Sequence, residues 1–212
     1  MRIEIATHGN ELATSGLARI SHPEIRVIVP DLRNAAWYEQ LLRFLAAYVS
    51  DSNVGFKSGE TVAYGYWLLQ MRAASSGDLE IWERTLDGTD FTAGASLAVK
   101  FWSDQRRVCE TASAAFEPPR PDLLAAISKG VLEGHPVEGV RYPSPAHMSG
   151  WWFFTDQYSG DVSQITTTHL IHISNARQDL ARYFALPPGF RFSQRAGGDV
   201  WFDEEVAAES PI

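Results

Sequence analysis

The run Ser149-Gly150-Trp151-Trp152-Phe153-Phe154 is the most informative stretch of this sequence. In an extended strand, successive side chains point to opposite faces, so Trp151 and Phe153 share one face while Trp152 and Phe154 share the other. Both faces are then large and apolar. The pattern favours a central strand that is covered on both sides. The alternative is a strand with one face open, whose aromatic side chains would anchor a protein partner.

Hydrophobic periodicity and turn signals predict the elements on either side of this strand. Apolar residues recur at helical spacing over residues 34–49 and 96–111, and a shorter helix is expected over 176–184. Alternating or β-branched segments predict strands at 2–7, 25–29, 61–71, 79–86, 124–128, 131–132, 137–142, 166–173, 190–193 and 199–202. This mixture predicts an α+β fold class, with antiparallel or mixed sheets flanked by a few helices in two subdomains.

The clearest break along the chain is rich in proline. Residues 116–121 include Pro118, Pro119 and Pro121. Proline fixes φ and has no N–H, so this stretch cannot continue a helix and favours an extended, semi-rigid connection. The predicted organisation is an N-terminal α+β domain over 1–115, a linker over 116–121, a C-terminal α+β domain over 122–206 and a tail over 207–212.

The chain is acidic, with a formal net charge of -8 over 212 residues. Both parts share the acidity, because residues 1–123 and 124–212 each carry a net charge of -4. An acidic protein repels phosphate backbones, so we expect no nucleic-acid partner. The charge suits either plain solubility or a protein partner that is basic at its contact surface.

The single cysteine and the apolar runs indicate in which cellular compartment the protein is expected. Cys109 alone excludes an intramolecular disulfide and a cysteine-based metal site, and its helical, half-apolar surroundings predict a buried thiol. Residues 1–5 lack the basic-then-apolar pattern of a secretory signal. The apolar runs are shorter than the roughly 20 residues of a membrane helix. These features predict a cytoplasmic protein without a membrane partner.

Candidate catalytic and metal-binding residues are few. His169 and His172 form an H-x-x-H pair, but the β-branched residues around them predict a strand, in which residues three apart point to opposite faces. The sequence lacks a G-x-S-x-G elbow, a phosphate-binding glycine loop and a standard zinc motif. The acidic run at 203–205 is typical of a solvated terminus. We therefore predict no catalytic residue, no cofactor and no metal.

Residues 126–204 carry an ordered set of motifs that resembles the immunity protein 33 family, a domain of bacterial toxin–immunity gene pairs. The Ser-Gly-Trp run at 149–154 is similar to an aromatic strand of that family, and Arg141 is similar to its characteristic arginine. The other matching pieces are Ile127-Ser128-Lys129-Gly130-Val131-Leu132-Glu133-Gly134, Pro136-Val137, Leu186-Pro187-Pro188-Gly189 and Arg191-Phe192. Their order and spacing carry the resemblance.

The resemblance implies a protein that neutralises one cognate toxin or effector by forming a tight complex, without catalysis. Exposure and charge predict that the partner-binding residues are acidic and aromatic: Asp156, Tyr158, Asp161 and Trp201. Two alternatives stay open. One is an adaptor or chaperone that escorts a secreted effector. The other is an enzyme that reverses a toxin's modification of its target, which would need His169 or His172 beside acids in a deep cleft.

Overall fold

The computed structural model describes residues 3–52, 54–195 and 197–210, excluding the side chain of Ser52. Contacts between Cα atoms divide the chain into two compact units, Met1–Ser103 and Asp104–Ile212. Each unit contains its own sheet, and helices complete an α+β fold, as the sequence predicts. Within the described ranges, none of the helices is long and apolar enough to cross a membrane.

The N-terminal unit is built on a seven-stranded mixed sheet with strand order β1-β2-β3-β6-β5-β4, and β7 pairs with β6. Its strands are β1 Glu4–His8, β2 Glu11–Ser15, β3 Ile25–Ile28, β4 Thr61–Tyr64, β5 Trp67–Ala73, β6 Leu79–Arg84 and β7 Phe91–Ala93. Helix α1 spans Ala35–Ser52, and helix α2 spans Ser96–Thr111, so the division between the two units falls within α2. Both helices lie where the apolar periodicity predicts them.

Two strands of this unit differ from the sequence prediction. Residues 61–71 do not form one strand, because the chain reverses at Gly65, which has a φ of 58°, and β4 pairs antiparallel with β5. A positive φ is readily adopted only by glycine, and the strand-forming residues on either side hide this turn in the sequence. The short strands β2 and β7 were not predicted.

A buried carboxylate holds the beginning of α2 against the sheet. Glu83 on β6 is only 3% exposed, and its Oε2 accepts the backbone N–H of Ala98 at 2.8 Å. Burial raises the pKa of Glu83, and this is opposed by hydrogen bonds from the backbone N–H groups of Ala98, Leu97 and Ser96. The first N–H groups of a helix have no partner within the helix, so Glu83 satisfies donors that would otherwise be buried unpaired.

The C-terminal unit is built on a six-stranded mixed sheet with strand order β11-β8-β10-β9-β12-β13. Strand β10, which contains the aromatic run, pairs parallel with β8 and antiparallel with β9 and therefore lies in the middle of the sheet. The elements are β8 Leu124–Ile127, β9 Glu138–Arg141, β10 Met148–Phe154, β11 Thr166–His169, α3 Leu170–Ala176, β12 Phe190–Ser193, β13 Asp199–Phe202 and α4 Glu204–Ala207.

Several predictions for this unit were wrong. The expected strand over 166–173 ends at His169, and the remainder is α3, whose buried residues Leu170, Ile171, Ile173 and Ser174 follow helical spacing. The expected helix over 176–184 is reduced to a 3₁₀ turn, Ala181–Tyr183. Residues 131–132 form a turn, because positive φ angles at Gly130 and Gly134 leave no room for a strand.

The Pro-rich segment is hydrogen-bonded within the C-terminal unit. The N–H of Glu117 donates to the carbonyl of Ala185 at 2.9 Å, and the N–H of Ile171 donates to the carbonyl of Pro121 at 2.9 Å. The domain boundary over 116–121 stays a prediction.

Near the C-terminus, the acidic stretch from Glu204 forms α4 with Val206 buried, and the carboxylate of Asp203 caps the helix by accepting the N–H groups of Glu205 and Val206.

We expect Glu83→Ala to lower the free energy of unfolding by about 1–3 kcal/mol, because buried N–H donors at the start of α2 lose their acceptor. Glu83→Gln keeps a carbonyl oxygen and should cost less. Urea unfolding followed by tryptophan fluorescence measures both. Glu80→Ala, which truncates the preceding carboxylate with 40% of its side chain exposed, is the matched control and should change stability little. Equal losses for Glu83→Ala and Glu80→Ala would contradict the capping role.

The same carboxylate predicts a pH dependence. Because the pKa of Glu83 is raised on folding, the folded state holds this proton more tightly than the unfolded state. The contribution of Glu83 to stability therefore increases as pH falls from the raised folded pKa toward the ordinary value of 4.5. The Glu83→Gln variant should lack this gain, so the stability difference between the two proteins should shift in favour of wild type on acidification. A difference that is constant across this window would contradict the prediction.

Candidate functional site

Strand β10 contains a bulge that the Ser-Gly pair creates. Gly150 has a φ of 79°, and a Cβ atom there would lie 2.2 Å from the carbonyl oxygen of Tyr142. The hydroxyl of Ser149 donates to the carbonyl of Leu124 at 2.9 Å and accepts the N–H of Trp151 at 3.3 Å. The register between β10 and β8 shifts between Met148 and Trp152. The bulge therefore sets which face of the sheet each following aromatic residue occupies.

One face of β10 forms the core of the unit. Trp151 and Phe153 are both 0% exposed, and their rings stack with centroids 5.4 Å apart. The indole N–H of Trp151 donates to the carbonyl of Phe184 at 3.0 Å, and the ring of Phe184 contacts that of Phe153. On β12, Phe192 packs against both Trp151 and Phe153. The segment that follows the 3₁₀ turn thus covers this face.

A buried arginine binds the surrounding backbone together. Arg141 on β9 is 8% exposed, and burial lowers the pKa of its guanidinium to about 10, so it stays charged at neutral pH. Its Nε donates to the carbonyl of Ser149 at 3.1 Å. Its Nη1 donates to the carbonyls of Glu117 at 2.7 Å, Phe184 at 3.2 Å and Leu186 at 2.5 Å. One side chain therefore fixes three segments that are distant in sequence.

The opposite face of β10 is only half-covered. Trp152 and Phe154 alternate with the buried pair and are of intermediate exposure. Their rings belong to a continuous series, which we name the aromatic row: Tyr142, Trp152, Phe154 and Tyr158, with successive centroids 6.2, 6.2 and 4.9 Å apart. The expectation that both faces are fully buried was wrong for this face. The alternative, a strand with one face partly open, describes it.

Strand register places further side chains on the same face as the aromatic row. Glu138 pairs with Phe154 across β9, and Arg191 pairs with Trp201 across β12 and β13, so members of each pair share a face. A cavity of about 50 Å³ is lined by Phe154, Trp201, Glu138 and Arg191 together with backbone and side chains of neighbouring strands. Trp201 is 43% exposed.

Acidic side chains outnumber basic ones around this face. Arg195 lies 3.7 Å from a carboxylate oxygen of Asp156 and 4.0 Å from one of Glu138, while Arg191 lies 2.7 Å from a carboxylate oxygen of Asp203. The side chain of Asp156 is 60% exposed, and that of Glu138 is 57% exposed. We name the aromatic row together with Glu138, Asp156, Arg191 and Trp201 the open face.

The predicted partner-binding residues fall partly on this surface. Tyr158 ends the aromatic row, Trp201 lines the cavity, and Asp156 lies at the edge beside Arg195. Asp161 instead caps the 3₁₀ turn Val162–Gln164: its carboxylate accepts the N–H of Ser163 at 2.9 Å, and hydrogen bonds from Ser163 lower its pKa. Five members of the open face were not among the predicted site residues: Tyr142, Trp152, Phe154, Glu138 and Arg191. The signal for Trp152 and Phe154 is the alternation within the aromatic run.

The two histidines are neighbours, contrary to prediction. His169 immediately precedes α3 and His172 lies in its first turn, so their rings are 5.6 Å apart. The expectation of opposite faces was wrong because it assumed a strand. Both residues are exposed, and in the described part of the chain no group of three or more His, Cys, Asp or Glu is placed to hold a metal ion.

Cys109 is buried, as predicted, and burial raises the pKa of its thiol to about 11.

Comparison with known protein families identifies the unit that carries the open face. Residues 104–203 match the model of the Imm33-like domain. Within the C-terminal unit, residues 104–203 are therefore similar to the Imm33-like domain. The match confirms the resemblance seen in residues 126–204 and begins at Asp104, where the contacts also divide the two units. No curated protein and no solved structure gives a significant match to the chain.

The Ser-Gly pair of the Imm33-like domain generates a stability prediction. Gly150→Ala should lower the free energy of unfolding by about 2 kcal/mol or more beyond the loss for Gly160→Ala, because its Cβ would overlap the backbone of Tyr142. Gly160 also has a positive φ, 93°, but nothing lies within 4 Å of a Cβ there, so Gly160→Ala should show only the backbone strain of about 1–2 kcal/mol.

Urea unfolding of the two alanine variants measures this difference directly. Since both positions require a positive φ, the comparison isolates the close backbone approach at the bulge. Equal losses for the two variants would show that the left-handed conformation alone, and not the contact with Tyr142, requires glycine at residue 150.

Proposed function

We propose that this protein is an immunity protein that binds a cognate bacterial toxin or secreted effector and neutralises it by direct complex formation. The single observation that carries the proposal is the Imm33-like domain over residues 104–203. The complex would form in the cytoplasm of the cell that makes the toxin, or of its kin, and needs neither nucleic acid nor membrane. Neutralisation then depends on an interface and not on a catalytic group.

The surface of the Imm33-like domain supports a binding function. A specific protein interface buries about 800 Å² on each partner, and a few buried aromatic or arginine anchors supply most of its energy. Asp156, Tyr158, Asp161 and Trp201 are the residues that we propose to contact the partner. Two of them are large aromatic side chains: Tyr158 follows the central strand β10, and Trp201 lies on β13 at the edge of the sheet.

Charge supports a partner that is basic at its contact surface. Residues 104–212 contain 14 acidic and nine basic side chains, for a net charge of -5. One of the nine basic side chains, Arg141, is buried and hydrogen-bonded to backbone carbonyls, so the surface is more acidic than the count implies. Complementary charge accelerates encounter and disfavours wrong partners.

Co-expression tests the proposal. We expect this protein to rescue cells from a toxin domain encoded by an adjacent open reading frame, and the two purified proteins to bind with a Kd in the nanomolar range or below by calorimetry. Absence of both rescue and binding for every adjacent toxin candidate would refute neutralisation by direct complex formation.

Fragments of the same effector separate neutralisation from escort. An immunity protein should bind the isolated toxic domain and abolish its activity in vitro. An adaptor or chaperone should bind the region through which the effector is loaded into a secretion machine and leave the toxic domain active. Binding only to the loading region would therefore contradict the proposal.

A further inference from the structure

We infer that the open face of the Imm33-like domain is the toxin-binding surface, and that it takes a protein segment presenting arginine or lysine side chains over the aromatic row. This inference rests on the proposed function and specifies its site and the chemistry of its partner. Three features of the open face carry it: half-covered aromatic rings, three carboxylates beside two arginines and a small cavity between Phe154 and Trp201.

The aromatic rings are held in place and only partly covered. Tyr142, Trp152, Phe154 and Tyr158 contact one another in series, so each ring is fixed by its neighbours while its outer side remains accessible. Contiguous exposed aromatic surface is costly in water and is typical of interaction sites. Ordered rings lose little conformational freedom when a partner covers them, so most of the gain from burial is available as affinity.

The charges of the open face select a cation. Each arginine near the face already has an acidic neighbour: Arg191 pairs with Asp203, and Arg195 lies between Asp156 and Glu138. A carboxylate from a partner would therefore have to displace an existing ion pair. Glu138 and Asp156 share Arg195, so three carboxylates face two arginines, and an arginine or lysine from a partner would supply a second cation to two carboxylates that are more than half exposed. Its flat guanidinium or its ammonium can also lie against a tryptophan or tyrosine ring.

The cavity gives the face a point of insertion. It lies beside Phe154 and the exposed ring of Trp201, with Glu138 and Arg191 on its wall, and its volume of about 50 Å³ holds the end of one side chain. For comparison, a water molecule occupies about 30 Å³ of the liquid. A basic side chain inserted there would place its methylene groups against the two aromatic rings and its charge near Glu138, while the charge of Arg191 on the same wall is paired with Asp203.

Calorimetry with the purified toxin domain tests the inference. We expect Trp152→Ala and Trp201→Ala to weaken binding by about 30-fold or more, the scale of interface anchors. Glu138→Lys and Asp156→Lys place a positive charge on exposed positions and should each weaken binding by about tenfold or more. Their side chains are more than half exposed, so these variants should fold as the wild type does.

Matched controls come from the N-terminal unit. Leu32→Ala truncates an apolar side chain of a residue that is 58% exposed, and Glu39→Lys makes the same charge change on α1, where 43% of the side chain is exposed. Both should leave Kd within about twofold of wild type. Urea midpoints measured for every variant identify losses of binding that come from unfolding.

The possible results separate the inference from the proposed function. Failure of the wild-type protein to bind any adjacent toxin domain would refute the function. Tight wild-type binding that the four open-face variants weaken no more than the two controls would leave the function standing and refute the site. Weakening by the tryptophan variants but not by Glu138→Lys or Asp156→Lys would refute the basic partner segment. The basic partner segment would be supported if raised salt lowered the association rate of the wild-type protein and had a smaller effect on the association rate of Glu138→Lys.

Discussion

The guanidinium of Arg141 donates hydrogen bonds to backbone carbonyls from three parts of the C-terminal unit, and the arrangement of the core face depends on them. A charge removed from water is costly unless its hydrogen-bonding groups are satisfied. Here the carbonyls of Glu117, Ser149 and the 184–186 segment meet that requirement. Because these carbonyls must converge on one side chain, the chain before β8 and the chain before β12 are both drawn onto the same side of β9 and β10.

This convergence makes the two faces of the sheet unequal. The 184–186 segment covers Trp151 and Phe153, whereas Trp152 and Phe154 pack mainly with their own aromatic neighbours. The alternation of four large aromatic residues therefore serves two purposes. One pair supplies apolar area to the core, and the other supplies ordered apolar area at a surface with carboxylates at its edge. An inhibitor that works by occupying its target needs such a surface on a rigid support.

Local patterns predicted much of the fold but not the asymmetry of the site. Helical periodicity located α1 and α2, and alternation located β10 and the β12–β13 hairpin. These local patterns failed where strand propensity and apolar periodicity disagreed. The β-branched residues before and within α3 suggested a strand, although the apolar residues Leu170, Ile171 and Ile173 already lie at helical spacing. The proximity of His169 and His172 was missed for the same reason. Alternation showed that Trp152 and Phe154 share a face, but which face is covered depends on residues 184–186, more than 30 positions away.

Under the proposed function, the position of the open face links stability to inhibition in a specific way. Its rings lie on the strand whose geometry is set by the Gly150 bulge and whose core side is fixed by Arg141. A substitution at either of those residues acts on the folded population, so it lowers inhibition in proportion to the protein that unfolds. A substitution of the exposed Glu138 is expected to act on the complex and to leave that population nearly unchanged, and the urea midpoint of Trp152→Ala measures how much of its effect is on the fold. Measuring unfolding and binding on the same variants therefore distinguishes the residues that build the face from the residues that use it.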